Sequence, residues 1–198
     1  MTRSTRQQAD DRILDRAAAL FAQHGFAHTS VQSVADAVGL SKAGLLHHFP
    51  TKDALRAAVL DQAGTLGRRA VAQVRSLPPG AARDHRAVEV LVDTALAHPG
   101  LVSLLLTPAT RGVPADDADT DAAGRWAFEA FGVDPGTPDR ERFVRVAGAL
   151  VVLAVLGVGA QTDDDPAALR PHIIATSYDA LGHRGPGATP ERPDQVEA

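Results

Sequence analysis

Ser41, Lys42, His47 and His48 fall within one short stretch that ends at Phe49-Pro50, and Lys52 follows two residues later. An ammonium, a hydroxyl and imidazole N–H groups crowded together are equipment for holding anions, because each can donate to a phosphate oxygen. Thr29 and Ser30 place two more hydroxyls at the start of the preceding helical stretch, where side chain and free backbone N–H groups can cap the helix or hold a phosphate. His47 and His48 do not suit a metal, since adjacent positions on a helix diverge by about 100°. Other candidate chemistry is sparse. Asp163-Asp164-Asp165 and the aspartates of 116–121 lack a spaced histidine or a phosphate-cradling glycine motif, so they are expected to be solvated turns. With no cysteine there is no disulfide, thiolate metal site or cysteine nucleophile. The expectation is therefore no catalytic residue, no metal, no cofactor and no enzyme.

These residues need helices to position them. Ile13, Ala17, Leu20 and Phe21 recur at helical spacing over 9–24, and Gly25 ends the pattern. Val31, Val34, Ala35 and Val38 form the inner face of a second helix stopped by Gly39. Ser41 caps a third over 42–48, which Phe49-Pro50 closes because a residue before proline is pushed out of helical geometry. Thr51 caps a fourth with Leu55, Val59, Ala63 and Leu66 as its stripe, and Leu77-Pro78-Pro79-Gly80 interrupts the chain. Helices are then expected over 83–98, 101–106, 122–131, 140–161 and 166–181, with Pro99-Gly100 and Pro108 as stops and 112–121 and 132–138 as loops. No strand pattern emerges, so the fold class is all-α with about nine helices.

The run Thr29-Ser30-Val31-Gln32-Ser33-Val34-Ala35-Asp36-Ala37-Val38-Gly39-Leu40-Ser41-Lys42-Ala43-Gly44-Leu45-Leu46-His47-His48-Phe49-Pro50-Thr51-Lys52-Asp53-Ala54-Leu55 closely resembles the tetracycline-repressor (TetR) family, over about 13–60. The resemblance implies a three-helix helix-turn-helix DNA-binding domain over 1–50. It also implies a helical effector-binding and dimerisation domain over 51–184, of which 51–76 is a linker helix; the tail 185–198, rich in glycine, proline and charge, is expected to be disordered. By the same resemblance the contacts to double-stranded DNA fall on Thr29, Ser30, Ser41, Lys42, Ala43, Gly44, Leu46, His47, His48 and Lys52, with Lys52 as phosphate clamp and an inverted-repeat operator as target. Leu46 departs from the family pattern, which often has tyrosine there, and leaves only apolar contact, such as with a thymine methyl. Gly44 departs too, costing about 1 kcal/mol of helix stability relative to alanine. Arg3 and Arg6 could form a basic arm.

Charge is distributed to match. Residues 1–75 carry ten Lys and Arg against six Asp and Glu, whereas 76–198 carry ten against eighteen, so a mildly basic front precedes an acidic back. A single small domain buries too little DNA for tight specific binding, which calls for a homodimer. The stretch 144–160 is apolar all round and needs burial on two sides. Val151, Val155 and Val158, joined by Ile173, Ile174 and Tyr178 of the last helix, are the expected dimer interface. A small-molecule effector of unknown class is expected among His98, Leu105, Arg111, Trp126 and Phe128. The longest apolar run, 146–160, is shorter than the roughly 20 residues of a membrane span, and no apolar leader opens the sequence, so the location expected is cytoplasmic. The rival reading is a helical interaction module without specific DNA binding.

Overall fold

A computed structural model describes residues 3–111, 118–134, 136 and 139–183, all of them helical or connecting segments. Four helices come first: α1 (Arg3–His24), α2 (Val31–Val38), α3 (Lys42–His48) and α4 (Lys52–Val74). Five follow: α5 (Ala81–Ala97), α6 (Pro99–Arg111), α7 (Ala118–Ala130), α8 (Arg140–Gly159), which ends in a 3-10 turn (Ala160–Thr162), and α9 (Arg170–Ala180). The early boundaries are set by side chains that satisfy free N–H groups. Ser30 accepts from Ser33 N while the Ser33 hydroxyl accepts from Ser30 N, a reciprocal cap with serine in the usual Glu/Gln place. Ser41 and Thr51 accept from Gly44 N and Ala54 N, both at 3.0 Å. Gly39, at φ 72°, turns the chain out of α2 and returns its N–H to Ala35 and Asp36.

Several boundaries differ from expectation. Helix α1 starts at Arg3, so the backbone of the anticipated basic arm is helical there. Pro99 opens α6, where its fixed φ and missing donor cost nothing, and the helix continues beyond Pro108 because an internal proline removes one hydrogen bond without necessarily stopping a helix. Helix α7 begins at Ala118, inside the expected acidic loop, and α9 begins four residues late.

Two cores form. The first joins Ile13, Ala17 and Phe21 of α1, Val34 and Ala35 of α2, Leu45 of α3 and Leu55, Val59 and Ala63 of α4, and it also takes in Leu101 of α6. The second joins Ala70 and Val74 of α4 with Val88, Leu91 and Val92 of α5, Phe131 just after α7, Val146 and Leu153 of α8, and Ile173 and Ile174 of α9. Helix α4 therefore serves both: its buried positions Leu55, Val59, Ala63, Gly67, Ala70 and Val74 recur every three or four residues. Each of its larger apolar side chains contributes about 1.5–3 kcal/mol on burial, so α4 cannot rotate without disturbing both cores.

Two polar locks tie distant segments together. The Asp15 carboxylate on α1 accepts from Gly100 N (3.2 Å) and Leu101 N (3.0 Å), capping α6 from another helix. The fully buried Asp84 of α5 takes a bidentate pair from Arg142 of α8 (2.7 and 2.6 Å) and a third contact from His183 Nε2 (2.5 Å). Residues 140–162 are long and apolar enough to cross a membrane by composition alone. Here the helix packs on α5, α6 and α9, so its apolar character is partly absorbed by the second core.

Candidate nucleic-acid interface

Helix α3 has one buried side chain, Leu45, which anchors it to the first core. At about 100° per residue, Ala43 and His47 fall opposite that anchor, and Leu46 and Lys42 lie on the flank between, about 100° and about 60° from it. Lys42, Ala43 and His47 are exposed and Leu46 is half-buried. A cation, a small residue, an apolar side chain and an imidazole on one face provide both hydrogen bonding and close approach. The Ser41 hydroxyl is engaged at the helix start, where a Cβ on Gly44 would meet it at 3.3 Å. Glycine at 44 thus leaves the cap undisturbed.

His48 departs from expectation. It points back toward α1, with Nδ1 2.7 Å from Asp10 Oδ1, and joins the two helices instead of projecting outward as His47 does. Thr29 departs as well: it is 3% exposed, and its hydroxyl donates to Gly25 O (2.8 Å) and Leu20 O (3.2 Å). It fastens the end of α1, which leaves the exposed Ser30 at the α2 N-terminus as the hydroxyl open to solvent.

Lys52 Nζ donates to Ala27 O at 3.2 Å and stands 4.3 Å from the Phe26 ring centroid. The ring and carbonyl hold the charge at the α1–α2 corner, and an ammonium still has two further donors. Arg56 lies over the same ring at 5.4 Å. Sequence reasoning missed Arg56, although it follows Lys52 by one helical turn, the spacing that puts two side chains on one face. The basic patch is thus α3 flanked by the α1–α2 corner.

The other expected site residues do not converge. His98 closes α5 and borders clefts on two sides of α1. Leu105 packs against the first core, Trp126 against Gly67 of α4, and Phe128 stacks on Phe143 with centroids 5.3 Å apart. Arg111 ends α6, and its side chain lies outside the described residues. Asp163 and Asp165 cap local turns through Asp165 N and Ala168 N, while Asp116 and Asp117 lie outside the described residues. On α8, Val151 and Val155 are exposed, with Val144 and Leu156 beside them; Val158 is half-buried against the second core. Ile173 and Ile174 are buried inside the subunit and Tyr178 leans on the same core and stacks on His183. The two isoleucines are thereby removed from the expected interface, because α9 spends them on α5 and α8.

A short helix seated by one leucine, preceded by a tight glycine turn and a capped helix, with its polar face outward, defines a helix-turn-helix DNA-binding domain. Residues 13–59 match the family described as bacterial regulatory proteins, tetR family. Over 50 residues the chain is 46% identical to the HTH-type transcriptional regulator RutR of Escherichia coli, a match spanning 25% of this chain and 24% of RutR. It is 44% identical to the HTH-type transcriptional repressor KstR2 of Rhodococcus jostii over 43 residues, 22% of this chain and 21% of that one. A longer match, 27% identical over 188 residues, covers 90% of this chain and 93% of the HTH-type transcriptional regulator Rv1255c of Mycobacterium tuberculosis. The fold is shared with a solved TetR-like transcriptional regulator from a Rhodococcus species, at a TM-score of 0.51 and 19% identity over 93% of this chain and 100% of that chain.

Proposed function

We propose that this protein is a cytoplasmic, homodimeric transcriptional repressor that binds an inverted-repeat operator through α3 and is released from it by a small-molecule effector. The observation that carries the DNA-binding part is the outward face of α3, with Lys42, Ala43, Leu46 and His47 on one side and Leu45 seated in the core. Lys42 is assigned to a base edge or its adjacent phosphate. Lys52, Ser30 and the free N–H groups of α2 are assigned to the sugar-phosphate backbone. The repressor sign is taken from relatives such as KstR2, whose name states it.

Dimerisation is supported by α8, where Val144, Gly148, Val151, Val155 and Gly159 are exposed at intervals of four, three, four and four. That spacing makes one stripe of small and β-branched residues along the helix, suited to close packing against a second copy. Two copies would set two α3 helices at half-sites about 34–36 Å apart, one turn of DNA. An effector that shifts α4 changes that separation, since α4 is built into both cores.

The test compares duplex affinity across salt concentrations for the native chain, Lys42→Ala and Lys52→Ala. Lys52→Ala should weaken binding to all sequences alike and reduce the salt slope by about 1, whereas Lys42→Ala should also relax sequence preference. Unchanged binding in both variants would refute this surface. Absence of salt-dependent binding by folded protein would favour an interaction module.

A further inference from the structure

The cleft between α4 and α7 is the strongest unassigned feature. It encloses about 490 Å³, the scale of a small-molecule site. Among the described residues it is lined by Arg68 of α4, Arg75 at the C-cap of α4 and Arg125 of α7, with Glu129 as the one acid. Arg68 uses one donor on Thr65 Oγ1 (2.9 Å), which leaves most of its guanidinium available. Three guanidinium groups around one opening, two from the basic front of the chain and Arg125 from its acidic back, concentrate positive charge there.

The wall and floor are apolar. Val71 lies between the α4 arginines, and the Trp126 ring rests on Gly67 so closely that a Cβ there would stand 2.1 Å from the indole. A second helical glycine, Gly64, lines the opening; a Cβ there would meet only the flexible end of Arg68, at 3.3 Å. Gly67 is thus explained by Trp126, whereas Gly64 keeps space in the cleft itself. The Trp126 Nε1 donor is buried with no partner among the described residues.

We propose that this cleft binds a small organic acid, a carboxylate on an apolar body, with Arg75 and Arg125 holding the anion and Trp126 and Val71 the apolar part. Bidentate guanidinium groups match carboxylate geometry, and the aromatic wall excludes water from the rest of the ligand. The inference rests on the effector-responsive reading above and gives that effector a class and a place. Occupancy ties α7 to α4, the helix shared by both cores.

Trp126 is the sole tryptophan, so intrinsic fluorescence reports the cleft directly and independently of DNA. The experiment titrates the native full chain with octanoate, with neutral octanamide and with inorganic phosphate. The expected result is a saturable change with octanoate, none with octanamide, and a weaker response to phosphate. Arg75→Ala and Arg125→Ala, both at exposed side chains, should each raise the half-saturating octanoate concentration roughly three- to tenfold. No saturable change, equal titration by octanamide or phosphate, or arginine variants that bind octanoate as the native chain does would each overturn the proposal. Duplex binding of the same preparation is read separately. DNA binding without an octanoate response overturns the cleft alone, and an octanoate response without DNA binding supports the cleft while overturning the regulator reading.

Discussion

Replacing Gly100 with alanine tests the joint between α6 and α1. A Cβ at this position would stand 2.0 Å from Asp15 O and 3.0 Å from Ala19 Cβ. Carbon and oxygen in ordinary contact need more than 3 Å, so α6 must retreat from α1 by about 1 Å. That retreat also stretches the two N–H bonds to the Asp15 carboxylate, now 3.2 and 3.0 Å, and loosens Leu101 from the first core. Overpacking costs about 1–3 kcal/mol and a lost helix cap about 1 kcal/mol. The helix propensity gained by alanine returns at most about 1 kcal/mol. The expected loss is about 2–3 kcal/mol, a fall in Tm of roughly 4–12 °C for a chain of this size. The assay is thermal unfolding by circular dichroism beside Asp15→Ala, which removes the cap alone and should cost about 1 kcal/mol. The double variant should fall short of the sum, because both changes act on one joint. A Gly100→Ala chain as stable as the native one would refute the close-approach argument.

Asp84→Ala leaves the Arg142 guanidinium without its carboxylate and should destabilise by about 3 kcal/mol or more in urea unfolding; a change below about 1 kcal/mol would show the lock to be dispensable. Val151→Asp places charge on the exposed α8 stripe and should yield folded monomers in sedimentation; an intact dimer would move the interface elsewhere. Gly67→Ala sets two effects against each other. Helix propensity predicts a gain of about 1 kcal/mol, but the 2.1 Å approach to Trp126 predicts a larger loss of about 1–3 kcal/mol and a shifted tryptophan emission maximum. A stabilised variant with unchanged emission would contradict the packing described.

Local signals in the first sixty residues were legible because caps, glycine turns and helical stripes act within a few residues. Ser30, Ser41, Thr51 and Gly39 mark their boundaries where expected. What could not be read were partnerships across long separations. Nothing near residue 48 indicates that His48 bonds Asp10 at a separation of 38 residues, and nothing near residue 100 indicates that Asp15 caps α6. Thr29 illustrates the same limit at shorter range: a hydroxyl at a helix start suits a cap or a phosphate equally, and only its burial against Leu20 O and Gly25 O decides. On α9, consecutive isoleucines gave no periodicity to say which side was core, and packing on α5 and α8 took both.

The most direct test of the central claim is selection of the purified protein against random duplex DNA, followed by sequencing of the bound fraction. Enrichment of one inverted repeat, with half-site centres about one helical turn apart, is the predicted result. Folded protein that enriches no sequence at low salt would contradict the assignment of α3 as a recognition helix.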